Sequence, residues 1–415
     1  MNIYAVIILF TLGIDIILGI AADLLNLRSA ATELPDEFRD VYDRERYRQS
    51  QRYLHASTRL GMVGDLFNLA VLLTFWFAGG FAALNNWVMQ VADGVVARGV
   101  VFIMVLMAAR FLLGLPFSIY STFVIEERFG FNKTTPGTFI MDRVKGVGLS
   151  ILIGVPLLAL ILYLLSAAGD AAWLYCWAAV TVFTLVLQFV APTWIMPLFN
   201  KFTPLEEGEL RRAIMNFADK VSFPLKGVYV IDGSRRSSKS NAFFTGFGRN
   251  KRVALFDTLV EKQTVPQLVA VLAHEIGHYK KHHIIKGLVL SIAHTGVLFF
   301  LLDIFLGHPG LYEAFFVEGT PVYAGLVFFG LLYSPVELLL AFVINALSRK
   351  HEYEADAFAG RHLQSVVPMI QALKKLCADN LVNLTPHPLY VVLHYSHPPM
   401  LARICALREQ QRSAE

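Results

Sequence analysis

Seven stretches of the chain are almost unbroken in apolar residues, and polar segments separate them at intervals that suit a polypeptide crossing a bilayer repeatedly. They fall near 3–25, 60–83, 99–122, 147–168, 172–196, 285–307 and 322–347, each long enough for a helix to cross about 30 Å of hydrocarbon. The first carries no basic residue among Met1 to Tyr4 and outruns a signal peptide's apolar region, so it is expected to remain as a span.

Between the spans the pattern changes character. The segment L-P-D-E-F-R-D-V-Y-D-R-E-R-Y-R-Q-S-Q-R-Y-L alternates charges with tyrosines, which predicts a solvated helix that docks on another part of the protein. Residues 201–284 form the main polar insert. Its start, T-P-L-E-E-G-E-L-R-R-A-I-M-N-F-A, reads as a capped helix with Thr203 as N-cap, Pro204 in the first turn and Glu206 three residues on. Short strands follow at G-V-Y-V-I-D, N-A-F-F-T-G-F and R-V-A-L-F-D, the last two joined by the turn G-R-N-K. A helix from about Val265 then runs towards the sixth span. The expected organisation is five spans in 1–200, the insert in 201–284, two spans in 285–347, and helices ending in a loose polar tail in 348–415. The fold class is an all-α polytopic membrane protein of about seven transmembrane helices, with a polar insert carrying a small β-sheet.

Composition agrees: 55% hydrophobic and 16% charged residues, with mean hydropathy +0.53, exclude an ordinary soluble protein of 415 residues. The distribution of Lys and Arg orients it. Basic residues crowd the segments after the first, third and fifth spans and the tail, while 84–98 has only Arg98 and the connections near 170 and 308–321 have none. The positive-inside bias predicts the amino terminus outside and the carboxyl terminus in the cytoplasm. The net charge of +4 is then a topology signal, and no basic cluster interleaved with aromatics suggests nucleic acid. Cys176, Cys377 and Cys405 form no C-x-x-C pair, so neither a disulfide framework nor a thiolate metal site is expected.

The chemistry lies at H-E-I-G-H. His274 and His278 are four apart and share a helix face, so both imidazoles can reach one ion, with Glu275 beside them as general base. A catalytic zinc site takes three protein ligands and leaves a position for water. Position 281 is Lys and 284 is Ile, so the extended three-histidine motif fails. The third ligand must come from a carboxylate on the same side of the membrane. Glu313, Glu318 and Asp303 fall at the far side, whereas the seventh span returns and ends in S-R-K-H-E-Y-E-A-D-A-F-A. There Glu352 and Asp356 share a face and Glu354 points away. Glu352 is the expected third ligand, Asp356 the acceptor that orients a ligand histidine, and Glu354 is expected to matter little.

These two motifs, with L-P-D-E-F-R-D-V-Y-D, F-V-I-E-E-R-F-G-F-N-K-T-T, P-L-F-N-K-F-T-P-L, S-N-A-F-F-T-G-F and S-H-P-P-M-L-A-R, resemble the integral-membrane zinc metallopeptidases that include the CAAX prenyl endopeptidases. The resemblance implies seven helices enclosing a large water-filled chamber, with one zinc ion near its cytoplasmic face, and a family ligand matching Glu352. It also implies substrate contacts at Asn241, Ala242 and Gly246, on a strand whose free edge would hold an extended peptide. His397 would stabilise an oxyanion, and Arg403 would bind a substrate carboxylate or brace an acidic ligand. Asp15, Asp65, Arg110, His294 and Glu337 lie within spans, where they either line a chamber or lock helices together.

The expected function is membrane-embedded zinc endoproteolysis of CAAX type, on a peptide or protein substrate that carries a prenyl group or does not. Its partners are that substrate and the lipid bilayer. Short Ala- and Arg-rich loops and a terminus without a retrieval signal point to a bacterial inner membrane before an endoplasmic reticulum. The competing readings are a quality-control protease of membrane proteins and a transporter-like or scaffold protein with a structural metal.

Overall fold

The structure, a computed structural model, describes residues 2–30, 33–245 and 251–414. Helix α1 (Ile3–Ser29) is capped by the Asn2 side chain, which accepts from the Ala5 N–H. Helix α2 (Arg44–Phe77) is capped by Asp43 and runs without a break from the charged, tyrosine-rich segment into the second span. Its 34 residues cover about 51 Å, so its polar first turns stand clear of the hydrocarbon. After Gly79, whose φ of 75° needs no Cβ, a shorter helix α3 (Gly80–Val91) packs back on the bundle. Helix α4 (Val95–Tyr120) continues through a wide turn to Glu126. Helices α5 (Pro136–Leu149) and α6 (Val155–Ala167) make one span, loosened just ahead of Pro156, which donates no N–H to the ladder. Helix α7 (Ala172–Val190) completes the first half.

The insert holds a four-stranded sheet. Strand β1 (Phe202–Pro204), helix α8 (Glu209–Lys220), β2 (Leu225–Ile231), β3 (Ala242–Thr245) and β4 (Lys251–Phe256) follow in sequence, and the spatial order is β1-β2-β4-β3. The helix expected to begin at Thr203 therefore begins at Glu209. Thr203 and Pro204 instead pair antiparallel with Val230 and Tyr229, a long-range ladder that overrides the local capping pattern. Pro204 is tolerated because β1 is an edge. The G-R-N-K turn and Gly246 lie outside the described residues.

Helices α9 (Asp257–Lys262), α10 (Val265–Lys280), α11 (His283–Leu306) and α12 (Pro309–Glu313) lead to α13 (Val322–Leu332) and α14 (Ser334–His362). The last two are bent by 51° at Tyr333, so the seventh span is a broken one. Among the described residues six helices are long and apolar enough to cross a membrane, or seven with the bent pair. The chain closes with α15 (Val367–Asn380), α16 (Pro388–His394) and α17 (Met400–Ala414), so the polar tail is helical.

The docking predicted for the tyrosine-rich segment is seen. Phe38, Tyr42 and Tyr47 are buried with Met369, Ile370 and Leu373 of α15 and Ile404 and Leu407 of α17. The Tyr42 hydroxyl donates to the Cys377 carbonyl at 2.6 Å, and buried Lys374 lies 2.7 Å from Glu37. Within the bundle, α1, α2, α3 and α4 surround a cavity of about 960 Å³. Its lining is apolar except for Asp15, Asp65, Asn68, Arg110 and His394. Three of the five ionisable residues in question thus line the chamber. His294 and Glu337 instead approach to 3.3 Å, between α11 and α14.

Candidate metal and peptide site

Helix α10 carries the motif on a firmly started rod. Thr264 and Gln267 form a reciprocal capping box, and Pro266 sits in the first turn. Leu268, Leu272 and Ile276 pack into the core beneath the sheet, while His274 and His278 turn towards Glu352 of α14. Gly277 sets the distance to α14. A Cβ there would lie 2.9 Å from the Ala355 carbonyl oxygen, so only glycine lets the two helices approach this closely. That approach brings Glu352 and Asp356 to the histidines.

Ligand atoms of His274, His278 and Glu352 lie within 4.8 Å of one another. The two Nε2 atoms are 3.2 Å apart, and Glu352 lies 3.5 Å from the first histidine and 3.2 Å from the second. Glu352 is 3% exposed, and its Oε2 is buried without a hydrogen-bond partner although His397 Nδ1 comes within 2.9 Å. A buried carboxylate beside two convergent imidazoles fits a divalent cation. The field is suited to one as well. Burial would lower the His274 pKa, but Asp356 and Glu352 raise it to about 9, so positive charge is favoured at this point.

The second layer is equally specific. His274 Nδ1 lies 2.8 Å from Asp356 Oδ1, which fixes the ring with Nε2 turned inward. Arg403 of α17 grips the Asp356 carboxylate through Nε at 2.8 Å and Nη2 at 2.7 Å, and its Nη1 lies 3.3 Å from Glu352. Of the two roles open to Arg403, the contacts are those of a brace. The guanidinium is buried and lies against two carboxylates. Glu354 faces away from Glu352 and Asp356, as its spacing predicts. It nonetheless reaches His283, which touches His278 from behind. Neither His283 nor Glu354 stood out in the sequence as a site residue; the doubled His282-His283 after the motif was the available signal.

A cavity of about 400 Å³ opens over the site, lined by His274, Glu275, Glu352, Asn241, Ala242 and His397 among others. Burial raises the Glu275 pKa, with His274 and His278 working against that rise. His394 borders both this cavity and the larger one between the spans. Strand β3 forms the free edge of the sheet beside it. The Phe256 N–H donates to the Asn241 carbonyl, so the antiparallel alternation turns the Ala242 backbone groups outward, away from β4. The Ala242 N–H is meanwhile taken by its neighbour's side chain, Asn241 Oδ1, at 2.8 Å.

Comparison with known proteins agrees with this geometry. Residues 23–201 match the family profile described as CAAX prenyl protease N-terminal, five membrane helices, and residues 204–411 match peptidase family M48. CAAX prenyl protease 1 of Saccharomyces cerevisiae is 38% identical, over 91% of this chain and 88% of its own. The CAAX prenyl protease 1 homolog of Homo sapiens is 34% identical, over 93% and 91%. The crystal structure of S. mikatae Ste24p superimposes with a TM-score of 0.93 at 34% identity, covering 98% of this chain and 99% of that one.

Proposed function

The chain belongs to peptidase family M48, among the membrane-embedded CAAX prenyl proteases, and on that footing we propose that it uses zinc and cuts prenylated peptide carboxyl termini from the cytoplasmic side. The observation that carries the reading is the juxtaposition of a three-ligand site with a free strand edge in one cavity. A structural metal would be closed by a fourth protein ligand, whereas among the described residues three gather here and two of them, His274 and Glu352, line the open cavity.

His274, His278 and Glu352 would hold the zinc, which when bound polarises the scissile carbonyl and the attacking water. The remaining work falls to the protein. Glu275, beside the ligands and half-buried, takes the proton from water and returns it to the leaving amine. His397 stands at the rim, 62% exposed, where its N–H can meet the charge that develops on the carbonyl oxygen. A substrate strand displaces the Asn241 side chain from the Ala242 N–H and pairs with β3. Gly246 belongs to the same proposed edge.

Ala242→Pro isolates that pairing. The substitution removes an N–H that points away from β4, so the ladder should survive. Turnover is expected to fall about ten-fold or more, the equivalent of one hydrogen bond, with zinc content and melting temperature unchanged. A stable, zinc-loaded variant of parental speed would remove support for the edge.

The basic loops support a cytoplasmic face for the site and carboxyl terminus and an outside position for the amino terminus. The relatives named above are eukaryotic, and they lend the inner membrane of a bacterium no support. Sealed vesicles test substrate and orientation together. Inverted vesicles should cleave an added farnesylated CAAX peptide faster than its unmodified form, and right-side-out vesicles should cleave neither. Equal rates on the two peptides would turn the reading towards general surveillance of membrane proteins. Cleavage by right-side-out vesicles would reverse the topology.

A further inference from the structure

His278 differs from His274 in what stands behind it. The Asp356 carboxylate backs His274, but among the described residues no carboxylate lies against the second nitrogen of His278. Its Nδ1 instead lies 3.0 Å from Nδ1 of His283, and His283 Nε2 lies 3.0 Å from Glu354 Oε2. Two imidazoles can share one hydrogen bond only if one nitrogen donates and the other accepts. Glu354, as a carboxylate, can only accept, so the His283 proton sits on Nε2 and its Nδ1 is the acceptor. The His278 proton is thereby fixed on Nδ1, and Nε2 presents its lone pair to the site.

We propose that His283 is a positioning residue: with Glu354 behind it, it sets the tautomer and ring orientation of His278 and so tunes the affinity of the metal site. The inference rests on the assignment of His278 as a ligand.

The local structure is built for this contact. His282 adopts a left-handed conformation, φ 57°, that ends α10 and folds the first residue of α11 back against His278. The His283 side chain is 4% exposed, and its ring stacks on His351 at 4.0 Å between centroids and 12° between planes. Packing therefore holds it in one pose. Glu354 is 31% exposed and has Lys350 within 3.9 Å, one turn before it. The arrangement links α10, α11 and α14 through one file of side chains: His278, His283, Glu354.

The test is zinc affinity of the full-length apo-protein, measured by chelator competition, together with the visible spectrum of the cobalt-loaded form. His283→Leu keeps the bulk but removes the acceptor, and should weaken zinc about 10- to 100-fold, the range for lost outer partners of a ligand. His283→Asn restores an acceptor near the Nδ1 position and should recover most of that loss, with a parental cobalt spectrum. Glu354→Ala, at a half-exposed position that should fold whatever happens to His283, is expected to weaken zinc several-fold and to shift the same spectrum. The proposal is overturned if Glu354→Ala and a folded His283→Leu both hold zinc within two-fold of the parent, or if Asn restores nothing. A parent protein that binds no zinc at all would fail the ligand assignment itself, a different result from a parent that binds and variants that match it.

Discussion

Glu352→Ala is expected to leave the protein without zinc after purification and without measurable hydrolysis. The carboxylate is 3% exposed and sits among His274, His278, His397 and the Arg403 guanidinium. Its removal takes away one of three ligands and leaves a buried guanidinium short of a partner, so the site turns repulsive to a dication. Glu352→Gln separates the two effects: it keeps the shape and one oxygen but not the charge, and should bind weakly. Metal content by elemental analysis, alongside melting temperature, decides the matter. A folded Glu352→Ala protein with one zinc per chain would mean that the third ligand lies elsewhere.

Glu275→Gln should do the opposite, keeping the metal and losing the reaction. Glu275 lines the cavity next to His274 and Glu352 but is outside the ligand cluster. Burial, opposed by the two histidines, places its proton affinity above that of an ordinary glutamate, which suits a group that must take a proton from water and give it up again. Glutamine fills the same volume and cannot accept that proton. The rate at saturating peptide should drop by about 10²- to 10⁴-fold, the usual share of general acid–base catalysis. Zinc loss in this variant would make Glu275 a ligand; a rate near the parent's would assign the proton transfer to another group.

Much of this was legible in the chain because the strongest constraints are local or topological. Apolar length fixes the spans, and four-residue spacing puts His274 and His278 on one face. A crossing count puts Glu352 on the same side as the two histidines, and the three residues lie together. What stayed hidden depends on partners distant in sequence. Thr203 and Pro204 look like a helix start and become a strand because β2 is waiting for them. The bend at Tyr333 leaves no local mark beyond Pro335. The file from His278 through His283 to Glu354 needs the left-handed turn at His282, which no periodicity announces. Arg403 is legible as important, but its contacts with two carboxylates of α14 depend on a partner helix distant in sequence.

The broken seventh span has a mechanical side. Helix α14 continues from Ser334, just past the bend, to Glu352 without interruption, a rise of about 27 Å along a stiff rod. The metal site is therefore the far end of a lever whose pivot lies at membrane depth. A rotation of about 2° at the pivot would carry the carboxylate about 1 Å, roughly twice the misplacement that an aligned site tolerates. Packing of α14 against α10 and α17 clamps the free arm, so strain imposed by lipid is borne by those contacts before it reaches the ligands. The expected consequence is a turnover that varies with bilayer thickness: followed across membranes of graded acyl length, it should peak at one thickness and fall on either side.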